Sequence, residues 1–133
     1  MIVAVFRRLL KDGESFDDFK QAWEAEQGFG EPTRVFNAVS VADDREVLSI
    51  GFVAVEPEAL PTGIVQVGAQ EQRRHSRIDE VVESTKLRAM DRLATEHDLS
   101  RGPREMEVGS MESLLRPLVA AEAGLDDPPP GRS

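Results

Sequence analysis

Few side chains in this sequence can do chemistry on their own. There are two His, no Cys and no Tyr, which removes thiolate nucleophiles, thiolate metal sites and phenolic acids at once. His75 is the more informative imidazole. It falls one helical turn before Ile78, on a stripe with Ile64, Val67, Val82, Thr85, Ala89 and Leu93. A histidine on such a stripe points inward. There it is either a structural ring bonded to a carbonyl or carboxylate, or a general base at a pocket wall. Asn37 and Ser49 are small polar residues inside two apolar runs, where they can lie across from it. His75 and Asn37 are therefore the candidate catalytic pair, and Ser49 a candidate ligand contact. Trp23 can stack on a ligand or serve as a core anchor, and Arg34 can face a carboxylate ligand or be ordinary surface charge.

Other chemistries find less support. His75 and Asp79 stand four residues apart and could share a metal, but no third convergent ligand accompanies them, so no metal is expected. No G-x-S-x-G turn supports a serine nucleophile. The loop GFGEPTR after the first helix has glycines but follows a helix instead of opening one, and lacks the Lys and Ser/Thr of a phosphate loop. His97 and Asp98 read as the polar end of a helix.

The elements that must position these residues centre on TRVFNAVSVADDREVLSIGFVAV, residues 33–55. Two β-branched runs flank Ala-Asp-Asp-Arg, a turn composition, so the stretch reads as a hairpin with strands at 34–42 and 46–55. A two-residue turn would exchange the faces that pair, whereas the preferred three-residue turn at Asp43–Arg45 sets Phe36, Ala38 and Ser40 beside Phe52, Ile50 and Leu48. The other face then carries Val35, Asn37, Val39 and Val41 with Val53, Gly51, Ser49 and Val47. Neither face is polar, so both sides of this sheet should be covered.

Before the hairpin, residues 2–8 alternate apolar on both faces and predict a central strand. Ser15 with Asp18 forms a capping-box signature, opening a helix whose Phe16, Phe19 and Trp23 share a face and which Gly28 and Gly30 end. After the hairpin, helical spacing predicts two pieces, 65–84 and 86–97, with a break between. Residues 104–109 alternate and predict a last strand, at an edge. Ser110 can cap a short helix through Leu115, and Pro117 restarts it. One domain over 1–123 and a flexible tail over 124–133 complete the plan.

The formal net charge is −9, which repels a phosphate backbone, and the basic run Arg73, Arg74, His75, Arg77 reads as a solvated helix face. No nucleic-acid partner is expected. No apolar run is long enough to span a membrane, and the absence of cysteine permits a reducing compartment, so the expectation is a cytoplasmic protein.

Strand, helix, two strands, helices, strand is an α+β order of the ferredoxin-like kind, a four-stranded antiparallel sheet with helices on one face. With the doubly apolar hairpin, residues 1–110 resemble the dimeric α+β barrel superfamily, in which two protomers press sheet against sheet. That superfamily includes antibiotic-biosynthesis-monooxygenase-like proteins, small haem-degrading enzymes and polyketide cyclases. The resemblance implies a homodimer, and the hairpin face carrying Val35, Val39, Val41, Val47, Val53 and Val55 is the expected interface, since exposed it would form a large apolar patch. As some of the superfamily's monooxygenases work without a cofactor, none is required. The Asn, Trp and His positions of the haem degraders do not map onto Asn37, Trp23 and His75. The expectation is a small-molecule-binding protein or a cofactor-independent, monooxygenase- or cyclase-like enzyme. Its pocket, between helices and sheet, would take a small apolar or aromatic ligand. The alternative is a non-catalytic structural or partner-binding homodimer with a filled interior.

Overall fold

A computed structural model of the chain describes residues 1–24, 31–59 and 72–124. Its main sheet contains β1 (Ile2–Leu10), β2 (Thr33–Val39), β3 (Glu46–Val53) and β4 (Val82–Arg92). Helix α1 (Phe16–Trp23) follows β1, and a second helix, α2, whose described part is 72–81, leads directly into β4. The strand order is β2-β3-β1-β4 with every pair antiparallel, an α+β arrangement compatible with a ferredoxin-like fold. A short hairpin, β5 (Glu96–Asp98) with β6 (Arg104–Met106), and helix α3 (Arg116–Glu122) complete the described chain. The predicted tail beyond Gly124, the glycines Gly28 and Gly30, and the predicted start of the second helix at 65 lie outside the described residues.

Helix α1 begins where its cap requires. The Ser15 hydroxyl accepts from the Asp18 N–H at 3.3 Å, and the Asp18 carboxylate accepts from the Ser15 N–H at 2.8 Å. These bonds satisfy donors that the first turn leaves without intrahelical partners, and they hold the Asp18 carboxyl below its ordinary value. The helix turns Phe16, Phe19, Ala22 and Trp23 onto the sheet. Phe19 is completely buried and joins Leu10, Val47, Ile78 and Val82 in the core, with Val81 at its margin. Arg77 of α2 donates to the Ala22 and Glu24 carbonyls at 3.3 and 2.8 Å, covering acceptors at the end of α1.

The hairpin has the predicted faces but not the predicted register. Phe36 pairs with Ile50 and Ala38 with Leu48, a shift of two residues from the three-residue turn, and residues 41–45 make a longer connection. Within it the Arg45 N–H donates to Asp43 Oδ1 at 2.9 Å, the local bond that makes Asp a turn residue. A two-residue shift leaves each side chain on its face, because the pleat repeats every two residues.

Three expectations are corrected. The segment read as a helix over 86–97 is strand β4 through Arg92, so His97 and Asp98 lie in β5 and not at a helix end. The edge of β1 offers a full ladder, and pairing with it overrides the helical spacing of Leu87, Met90 and Ala94. The expected last strand at 104–109 is only Arg104–Met106 and pairs with β5, outside the main sheet. Residues 110–115 form turns, and the helix starts at Arg116 with Pro117 in its first turn, where proline's missing N–H is harmless.

Strand β4 is irregular. Arg7 faces Leu87 but Arg8 faces Thr85, and Leu9 faces Ser84 but Leu10 faces Val82, so Lys86 and Glu83 are extra residues at two bulges. After β6, Gly109 adopts a φ of +80°, and a Cβ there would stand 2.5 Å from Val119 Cγ2, so only glycine lets α3 approach.

Candidate functional site

The sheet register sorts every candidate residue by face. On the helix side, Asn37, Ser49, Phe6 and Arg88 form one row across all four strands, since Asn37 pairs with Ser49, Ser49 with Phe6, and Phe6 with Arg88. Helix α2 lowers His75 onto this row. Its ring centroid is 6.1 Å from that of Phe6, with the planes tilted by 52°. His75 thus faces the sheet and is half-buried.

Ser49 is 3% exposed and donates its hydroxyl to Asn37 Oδ1 at 2.6 Å. From the next row, Arg8 Nη1 donates to the same Ser49 oxygen at 3.5 Å. The Arg8 guanidinium lies 4.5 Å from the Phe6 ring centroid and 5.9 Å from that of Phe19. Arg88 sits over Phe6 as well, at 5.4 Å. Burial lowers Arg8 to about 10, with Arg74 and Arg88 adding to the shift and Asp79 opposing it least. It stays charged at neutral pH, and the cause of the shift is the shortage of water and of opposite charge around it. On the far side of the polar row, Val35, Gly51, Ala4 and Met90 form the next row, whose centre is two very small residues.

The arrangement is a chain of donors, Arg8 to Ser49 to Asn37, beside an aromatic ring and an imidazole. It can hold an acceptor atom, and it can stabilise negative charge that develops on one.

Arg34 and Trp23 are not brought to this row. Arg34 pairs with Phe52, points to the opposite face of the sheet and is exposed. Trp23 packs at the margin of the core and carries Arg74 4.7 Å from its ring centroid. Arg74 is itself buried and donates to the Trp23 carbonyl at 3.5 Å, so the basic run 73–77 is not simply a solvated face: it ties α2 to α1. Among the described residues no cluster of three potential metal ligands occurs. A separate open depression is lined by Leu93, Ala94, Glu105, Met106, Glu107 and Val108, none of them in the candidate row.

Sequence reasoning missed Arg8. Its signal was present in IVAVFRRLL, because in a strand that buries Phe6 and Leu10, strict alternation sends Arg8 and not Arg7 beneath the helices.

The opposite sheet face is bare among the described residues. It displays Phe36, Ile50, Val5 and Ala89 in one row, with Phe52, Val3, Leu48 and Leu87 above and below. Phe36 is 57% exposed and Leu87 46%, and the Phe36 ring meets that of Phe52 edge-on at 6.2 Å. At one end Glu46 is clasped by Arg7 and Lys86. This corrects the expected interface. The valine face, with Val47 fully buried, lies under the helices, and the face of large residues is the open one.

No protein-family model, curated protein or solved structure matches this chain. No helix among the described residues is long and apolar enough to cross a membrane.

Proposed function

We propose that the chain works as a sheet-to-sheet homodimer of the dimeric α+β barrel kind. On this reading it binds a small apolar or aromatic molecule between its helices and the other face of the sheet. The observation that carries the ligand reading is the row Asn37–Ser49–Phe6–Arg88 beneath His75, a mostly polar line on the face that also carries the core. Where the bound molecule is turned over, the chemistry is cofactor-independent. His75 removes an acidic proton, and the Arg8–Ser49–Asn37 donors hold the oxygen on which charge accumulates.

The open face supports the dimer. Burying roughly 400 Å² of apolar surface is worth about 10 kcal/mol before the costs of association. Its charges favour one arrangement. Arg34 and Asp91 occupy opposite edges of a single row, Arg34–Phe52–Val3–Asp91. A two-fold axis parallel to the strands lays β2 over β4 of the partner, so that Arg34 meets Asp91 of the partner subunit.

The alternative is a structural homodimer with a filled interior, and the near-complete burial of Ser49 and Arg8 speaks for it. A thermal-shift screen with neutral and acidic aromatic compounds, repeated on His75→Ala and Asn37→Ala, separates the two. Stabilisation of the parent chain, lost in variants that melt at the parent temperature, supports the site. Variants that melt far lower, with no compound stabilising the parent, favour the filled interior.

A further inference from the structure

Arg8 is the most deeply buried cation among the described residues, 4% exposed, and none of them places a carboxylate within ion-pair distance of it. A guanidinium carries five N–H donors. Among the described residues only one is engaged, through the long 3.5 Å bond to Ser49 Oγ, and the rings of Phe6 and Phe19 are near neighbours. Buried charges are ordinarily paired. Here Arg74 and Arg88 repel it more strongly than exposed Asp79 attracts it, in a chain whose net charge is −9. The hydrogen-bond directions point the same way. Ser49 accepts from Arg8 and donates to Asn37, so what the row still offers is N–H groups: those of Arg8 and the Asn37 amide.

We infer that Arg8 anchors an anion subsite that takes the carboxylate of a small organic acid, with the acid's apolar body lying along Phe6, Ala4 and Gly51. This rests on the reading of the helix-side row as a binding site and names the ligand class for it. The planar guanidinium fork matches two carboxylate oxygens, and one negative charge neutralises one buried cation. A phosphate dianion would carry a second charge into a neighbourhood of Leu10, Phe19 and Val47, where desolvation disfavours it. Ala4 and Gly51 are the smallest pair beside Ser49, where a Cβ on Gly51 would stand 3.6 Å from Val35 Cγ2, and Phe6 lies one row away with Arg8 and Arg88 over its ring.

The test is calorimetric titration and thermal shift of the full chain with benzoate, benzamide and inorganic phosphate, repeated on Arg8→Met and Arg8→Lys. Benzoate is expected to bind at least about tenfold more tightly than benzamide or phosphate. Arg8→Met should melt no lower than the parent without ligand, because it removes an unpaired buried charge, and should lose benzoate binding. Arg8→Lys should weaken benzoate, since it keeps the charge but not the fork. Benzamide binding as well as benzoate overturns the anion subsite and leaves the pocket standing. Phosphate binding more tightly than benzoate overturns the carboxylate assignment. Failure of every acidic and neutral aromatic compound takes the pocket reading down as well. An Arg8→Met variant that melts far lower, with Arg8→Lys binding benzoate like the parent, makes Arg8 structural and overturns the inference.

Discussion

The two faces of one sheet have nearly the same apolar content and opposite fates. The helix side seals Leu10, Val47 and Val82 against Phe19 and Ile78, yet keeps Arg8 and Ser49 in the same layer. The open side carries the larger residues, Phe36, Phe52, Ile50 and Leu87, with charge only toward its ends. Hydrophobicity alone therefore does not choose which face the helices cover. The connections do: α1 leaves the end of β1 and α2 enters β4, and both lie on the side of the alternation that holds Leu10 and Val82. A face that tolerates buried polar groups and a face with an apolar centre and charged ends suit different tasks, which on the proposed reading are ligand binding and self-association.

That contrast can be broken most sharply in the core. Phe19→Ala removes a fully buried ring and should cost about 3–5 kcal/mol in denaturant unfolding. Phe36→Ala, measured at a concentration low enough to hold the chain monomeric, should change stability by no more than about 0.5 kcal/mol. Equal effects would mean that the open face is part of the monomer's own core. Next in size is Phe36→Asp, which should weaken the dimer by about a hundredfold in sedimentation equilibrium. A parent chain that stays monomeric at micromolar concentration would remove the dimer altogether.

A smaller effect sharpens the orientation of the partner. Arg34→Glu should weaken self-association by about 1 kcal/mol, and adding Asp91→Arg should restore it. Additive losses in the double variant would rule out the axis parallel to the strands. The last test concerns the cap that holds α1 over the covered face. Ser15→Ala should cost about 1 kcal/mol. Because Ser15 holds the Asp18 carboxyl below its unfolded value of 3.8, that carboxylate stabilises the fold above this pH, and the contribution is lost as pH falls through the lower folded value. The parent's melting temperature should therefore fall more steeply than the variant's between about pH 5 and pH 2. Parallel slopes would show that the Ser15–Asp18 bonds do not persist in solution.

Local signals were legible in the sequence and non-local ones were not. The alternation of residues 2–8, the Ser15–Asp18 cap and the Asp43 turn bond are decided by neighbours in the chain, and each is present. The sorting of Phe36 and Ala38 from Val35 and Asn37 needed only the two-residue pleat. The two-residue shift in pairing depends on how long a loop the strands accept. The identity of β4 depends on an edge contributed by residues more than 70 positions earlier, which no spacing of Leu87 and Met90 reveals. His75 faces the sheet as its stripe implied, and Asn37 and Ser49 meet, but Arg34 falls on the other face and Arg8 replaces it in the candidate site. The open face was misjudged for the same reason: both faces of the hairpin are apolar, and only the helices tell them apart.

The bulges at Glu83 and Lys86 bear on how large an assembly can grow. A sheet has two free margins, here β2 and β4, and an eleven-residue margin with regular pleating would template another chain alongside it. Two extra residues crimp that margin, and Lys86, Arg88, Asp91 and Arg92 line it with charge. On the proposed reading, stacking through the open face would be self-complementary and stop at two copies, whereas lateral addition would continue into a fibre. The crimped margin is thus a selvedge: it disfavours the direction of association that has no end, whatever the open face does.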